Sequence, residues 1–156
     1  MQLREVKENR RKYMKLLLLA DEQESMINQY LQKGNMYILD DNGTKGECIV
    51  TDENNGICEI KNIAILPEYQ GQGYGKALID FITKIYMTSH KIIQVGTGDS
   101  PLTISFYKKC GFEYSHTEKD FFILNYDKPI YECGKQLKDM IYLRKELNEI
   151  DDISKV

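Results

Sequence analysis

Tryptophan is absent from the 156 residues, and only two histidines and three prolines occur. The four cysteines, Cys48, Cys58, Cys110 and Cys133, are scattered and form no C-x-x-C pair. With so few histidines, this pattern supports neither a zinc site nor a disulfide framework; four reduced thiols in a cytoplasmic protein, without a bound metal, are expected. Positive charge is not in excess either, because 21 basic against 24 acidic residues leave a net charge of −3. No global field exists to hold a phosphate backbone or an anionic bilayer, so nucleic acid and membrane are set aside as general partners. Long apolar runs are missing as well. Leu16 to Ala20 is closed by Asp21, far short of the roughly 18 residues of a membrane span and too short for a signal-peptide core. Repeats, low-complexity tracts and linkers are also lacking, so one domain over residues 1–156 is expected.

What is present reads as alternating elements. Met1 to Val6 suggests a short strand, and residues 8–33 carry two helical blocks, Tyr13 to Leu18 and Met26 to Leu31, with Asp21 as N-cap between them. Gly34 ends the second block, and Met36 to Leu39 and Cys48 to Thr51 form a hairpin about Asp41-Asn42-Gly43. After a second turn at Asn54-Asn55-Gly56, the stretch Ile57 to Leu66 is apolar on both faces and reads as the central strand. A helix follows with Ala77, Leu78, Phe81, Ile82, Ile85 and Tyr86 on one face, then a strand from Lys91 to Val95. Ser100-Pro101 opens a short helix that Gly111 closes. Phe112, Phe121 to Leu124 and Asp139 to Leu147 are read as strand segments. The last is also compatible with a helix. The order, with early hairpins and a central strand-helix-strand crossover, describes a mixed α/β layered domain.

The most informative segment is Gln70-Gly71-Gln72-Gly73-Tyr74-Gly75-Lys76, between the central strand and its helix. Its glycines keep side chains out of the way, so loop amides and the free amides of the helix's first turn can converge on one anion, such as a phosphate or pyrophosphate. A Walker loop would need a hydroxyl after Lys76, where Ala77 stands, and a dinucleotide fingerprint needs G-x-G-x-x-G, where this chain has G-x-G-x-G. A plain tight turn needs fewer glycines.

This segment resembles the [RQ]-x-x-G-x-[GA] acyl-CoA signature of the GNAT superfamily of N-acetyltransferases, and Phe106-Tyr107-Lys108-Lys109-Cys110-Gly111-Phe112 resembles the family's later F-Y-x-K-x-G-F block. Gly96 through Phe112 is similar to small bacterial members of unassigned substrate. The resemblance implies a mostly antiparallel mixed sheet flanked by about four helices, with acetyl-CoA as co-substrate. It implies that Gln70, Gly71, Gln72, Gly73, Tyr74, Gly75 and Lys76 bind the cofactor's pyrophosphate end. Ile63, Ala64 and Ile65 would pair with the pantetheine arm on a strand that splays from its neighbour. Tyr107 would be the general acid for the departing thiolate, against the plainer reading of a packed tyrosine. Glu59, 11 positions before Gln70, would be the base that takes the acceptor's proton, or else an ion-pair partner of a neighbouring lysine. By the two-residue strand period it should share a face with Lys61, Ile63 and Ile65.

Ser100 departs from the asparagine that many members use to contact CoA. Lys76, Lys108 and Lys109 are candidates to neutralise CoA phosphates, whereas Cys110 reads as packing. In the family the acceptor lies between the first two helices and a late loop, here Leu19 to Met26 and Asn125 to Cys133. Asp21, Glu22 and Glu24 then favour a cationic amine. The expected activity is acetyl transfer to a primary amine by direct attack in a ternary complex; a CoA-binding sensor without catalysis is the alternative. A homodimer is common in the family.

Overall fold

The two turns expected at residues 41–43 and 54–56 organise the first half of the sheet. Asn42, Gly43, Asn54, Asn55 and Gly56 all take positive φ, the conformation that asparagine and glycine tolerate best. The computed structural model describes residues 1–148. Strand β1 (Gln2–Val6) leads through a 3-10 turn into the short helices α1 (Met14–Leu17) and α2 (Glu24–Asn28). Strands β2 (Asn35–Asp40), β3 (Thr44–Asp52) and β4 (Ile57–Ile65) follow, then helix α3 (Tyr74–Tyr86), strand β5 (Ile92–Gly98) and helix α4 (Pro101–Lys109). The remainder is β6 (Glu113–Glu118), α5 (Phe121–Asn125), the small hairpin β7 (Tyr131–Glu132) and β8 (Lys135–Gln136), and β9 (Met140–Glu146).

Seven strands form one sheet in the order β1-β2-β3-β4-β5-β9-β6. Every pairing in it is antiparallel except β4 with β5, the pair joined by the α3 crossover. The expected mixed, mostly antiparallel sheet is the observed one, and β4 is its middle strand. One face packs against α3 and α4 through Cys48, Val50, Ile60, Leu78, Ile82 and Phe112. The other packs against α1 and α2 through Leu17, Ile27, Leu31, Met36, Ile38 and Ile49. The buried Arg10 ties that second layer together, its guanidinium donating to the carbonyls of Val6, Leu31 and Gly34. The Leu31 and Gly34 carbonyls lie just past α2, so the Arg10 side chain supplies the donor that acceptors at the chain's exit need.

Four local expectations are corrected. Phe121–Asn125 is a helix, not a strand, entered through Asp120 at φ 57°; a short apolar run does not by itself distinguish the two, and only Phe122 of this one is buried. It is the helix that brings the count to five. Phe112 lies ahead of β6, buried in the core. The N-cap of α2 is Gln23, while Asp21 accepts hydrogen bonds from the hydroxyls of Tyr30 and Tyr126. Finally, Ile85 is exposed and Ile79 takes its place in the α3 core face.

A fifth correction concerns the site. The β3–β4 register runs Ile49↔Asn62 and then Val50↔Ile60, which leaves Lys61 as an extra residue on β4. Such a bulge reverses the phase of the strand. Ile63 and Ile65 therefore join Cys58 and Ile60 on the α3 face, not Glu59. Beyond the bulge it is Asn62 that turns to the α1 side, donating to the Leu17 carbonyl and the Tyr30 hydroxyl.

Candidate active site

The parallel pairing of β4 with β5 ends at Ile60↔Val95, although β4 continues to Ile65 and β5 to Gly98. Past that point β5 stays with β9, down to Gly98↔Met140, and β4 stays with β3, up to Gly46↔Ile65. The bulge at Lys61 increases local twist where the two halves part. Residues 61–65 thus present one backbone edge with no strand of the described residues beside it.

Two clefts meet at this opening. One, of about 540 Å³, is bounded by Ile63, Ala64 and Ile65, by the glycine loop and by α4. The other, of about 560 Å³, lies across the gap, lined by Glu59, Lys61, Tyr30, Tyr126 and Glu132 among others. Leu19, Ala20, Ile63, Thr103 and Tyr107 border both.

The loop is built to leave amides free. Gly71 and Gly73 sit at φ 75° and 90°, values a side chain resists, with open space around each Cα. Gly73 is the N-cap of α3 and no side chain caps the helix. The first-turn amides consequently face the cleft mouth without intrahelical acceptors, at the positive end of the helix dipole. Gly75 serves packing instead, because a Cβ there would lie 3.0 Å from the Phe106 ring. Gln70 braces the loop, its amide donating to the Ile65 carbonyl at 3.0 Å. The hydroxyl of Tyr74 donates to Asp41. Lys76 borders the cleft while paired with Asp80 one helical turn on.

Tyr107 is 5% exposed, wedged between the rings of Phe106 and Phe112. No described residue hydrogen-bonds its hydroxyl, and the residue borders both clefts. Burial first, then the neighbouring Cys48, Cys110, Glu47 and Glu132, raise its ionisation well above that of a free phenol. At neutral pH it carries its proton.

Glu59 is 6% exposed, and both carboxylate oxygens are engaged. Gln94 donates its amide to Oε1 at 2.5 Å, and the Lys61 ammonium lies 2.8 Å from Oε2. Arg144 donates to the Gln94 Oε1 at 2.7 Å, which fixes which end of that amide faces Glu59. The lysine pairing that the sequence left open is therefore made, by the bulged Lys61.

Other candidates stand apart. Ser100 holds the N-cap position of α4 without a side-chain capping bond, 3.4 Å from the Thr103 hydroxyl, and borders neither cleft. Lys108 and Lys109 are exposed at the far end of α4, and Cys110 is buried with its thiol pushed up by burial. Leu102, Thr103 and Phe106 are not among the residues expected at the site, yet with Tyr107 they form one face of α4 along the first cleft. Their spacing at i, i+1, i+4 and i+5 was the available signal. Among the described residues no group of three or more His, Cys, Asp or Glu is placed to hold a metal, and no helix is long and apolar enough to cross a membrane.

Residues 32–114, which hold the glycine loop, the opened strand and Tyr107, match the family model described as "Acetyltransferase (GNAT) domain".

The chain belongs to the GNAT acetyltransferase family.

Among relatives of this GNAT enzyme, the uncharacterised N-acetyltransferase YvbK of Bacillus subtilis (strain 168) is 36% identical over 135 residues, covering 85% of this chain and 87% of that protein. The crystal structure of a GNAT acetyltransferase from Elizabethkingia anophelis with acetyl-CoA bound is 34% identical, with TM-score 0.86 over 93% of this chain and 97% of that one. A Bacillus subtilis acetyltransferase in complex with CoA is 33% identical, with TM-score 0.85 over 94% and 99%.

Proposed function

We propose that this GNAT enzyme moves the acetyl group of acetyl-CoA to a primary amine by direct attack within a ternary complex. The observation that carries the reading is the opening between β4 and β5, where the two clefts meet beside the unpartnered hydroxyl of Tyr107. The first cleft fits a long thioester with an anionic end. The loop and α3 amides take the pyrophosphate, and the free edge of residues 61–65 pairs with the amide-bearing arm, as an added strand would. A backbone amide on that edge polarises the thioester carbonyl. Complexes of relatives with acetyl-CoA and CoA support the choice of cofactor.

The second cleft receives the amine. Glu59, at its inner end, takes the proton of the incoming ammonium, with Lys61 displaced from Oε2 as the acceptor arrives. The neutral nitrogen then forms the new C–N bond as the C–S bond breaks, and Tyr107 gives its proton to the leaving sulfur. The phenol regains a proton from the nitrogen, which must lose one to become an amide. Because burial makes Tyr107 a weaker acid than the thiol it serves, its transfer has to accompany thiolate departure and cannot precede it.

Thermal unfolding with acetyl-CoA, against ATP and NAD at equal concentration, tests the first half. At about 100 times Kd the ligand adds roughly 2.7 kcal/mol, a rise of about 5 to 10 °C for a domain of this size. A rise with acetyl-CoA alone is expected, and equal effects of all three would remove the cofactor assignment. The second half is read by CoA release on adding amines.

A further inference from the structure

Lysine is among the side chains least often buried, and a buried ammonium is costly unless something compensates it. Lys45, on β3, is only 7% exposed, and among the described residues no other lysine is buried. No described carboxylate lies within ion-pair distance of it. Glu47, two residues on along the same strand face, is kept protonated by burial and offers no opposite charge. What the ammonium does meet is an aromatic face, with Nζ 3.9 Å from the centre of the Tyr69 ring.

Tyr69 is a wall of the first cleft, beside Gln70, Gly71 and Gly73, and it stands immediately before the glycine loop. Leu66, three residues earlier, donates its amide to the Lys45 carbonyl at 2.9 Å. Backbone and side chain of Lys45 therefore both hold the loop's entry. The loop's exit is pinned to the same β2–β3 hairpin, because Tyr74 meets Tyr69 edge to face at 6.3 Å and donates its hydroxyl to Asp41 at 2.8 Å. The Asp41 carboxyl is held below its usual value first by that hydrogen bond and only last by the Lys45 charge; it is not the lysine's partner. Lys76 also borders the cleft, but it is exposed and already paired with Asp80. A buried charge is screened less than an exposed one, so of the two lysines Lys45 projects the stronger field.

Resting on the acetyl-CoA reading of the first cleft, we propose that Lys45 is a positioning residue for the cofactor's pyrophosphate. Held against Tyr69, it fixes the entry of the glycine loop, and its buried charge is compensated when the phosphates arrive. It touches no cofactor atom and takes no part in acetyl transfer.

The test is equilibrium binding to the purified full chain of CoA and of pantetheine, which carries the same amide arm and no phosphate. Calorimetric titration reads CoA, and chemical-shift titration reads pantetheine, the weaker ligand. We expect Lys45→Met to raise Kd for CoA about tenfold and to leave Kd for pantetheine unchanged. Lys45→Arg, which keeps the charge and stacks on the ring, and Tyr69→Phe, which keeps the ring, should bind CoA within about twofold of the parent. If thermal unfolding shows that Lys45→Met does not fold, Lys45→Gln carries the same comparison. CoA binding at parental strength without the charge overturns this inference and leaves the cofactor reading standing. Equal weakening of CoA and pantetheine, as lost packing alone would give, does the same. A parent that binds neither ligand overturns both.

Discussion

Tyr107 and Glu47 are both buried, and burial holds the proton on each with different consequences. For Tyr107, in its proposed role as acid, a high ionisation threshold would keep the proton in place for the leaving group. A Tyr107→Phe variant should therefore bind acetyl-CoA as well as the parent and lose about 10²- to 10⁴-fold in kcat; an unchanged kcat would remove the hydroxyl from the reaction. Glu47 on β3 is fully buried, with neither oxygen in hydrogen-bonding geometry to a described residue. Burial holds its carboxyl well above the ordinary range, against a weaker pull from the Ala64 backbone. An unfolded glutamate titrates near about 4.3, so above that pH the folded chain holds a proton that the unfolded chain has lost. This group's contribution is complete in acid and is lost as pH rises toward its folded value. Glu47→Gln should match the parent at pH 4 and exceed it by about 1 to 3 kcal/mol at pH 8, as urea unfolding at the two pH values will read. Tyr107 was legible in the sequence because its motif is local. The surroundings of Glu59 were not, since Gln94 and Arg144 arrive from other strands and a bulge invisible to the two-residue period moves Ile63 and Ile65 to the opposite face.

Among the elements, the turn into α3 holds its shape through backbone conformation, and its glycines can be tested singly. Gly73→Ala places a side chain at φ 90° in otherwise open space, so strain and not collision is the cost, about 1 kcal/mol or more of stability. The substitution also re-aims the first-turn amides, and affinity for acetyl-CoA should fall about tenfold in equilibrium binding. Binding at parental strength would mean the amides are not the anion's partners. The long elements were readable: the β2–β3 hairpin, β4 and α3 fall where turn residues and periodicity placed them, whereas Asp139 to Leu147, which periodicity left open between strand and helix, forms β9. Misreading concentrated in short segments whose state is decided by packing, such as Phe121–Asn125, where two of the apolar side chains, Ile123 and Leu124, stay exposed.

Across the whole molecule, hardly any pairing between distant strands was legible. That β9 inserts between β5 and β6, and that β5 keeps β9 when it parts from β4, are choices made by strands tens of residues apart, and no local propensity encodes them. The parting has a consequence beyond catalysis. The protein carries an unfinished sheet, and in the proposed binding mode its own substrate would supply the missing strand. Along β4 from Lys61 to Ile65, successive amides point alternately to β3 and into the opening, so neighbours on one strand live in different solvents. Hydrogen–deuterium exchange of the free enzyme should trace a sawtooth there, protected and unprotected by turns, and acetyl-CoA should flatten it. A uniformly protected β4 in the free enzyme would mean that the opening closes in solution and that binding must first pry it apart.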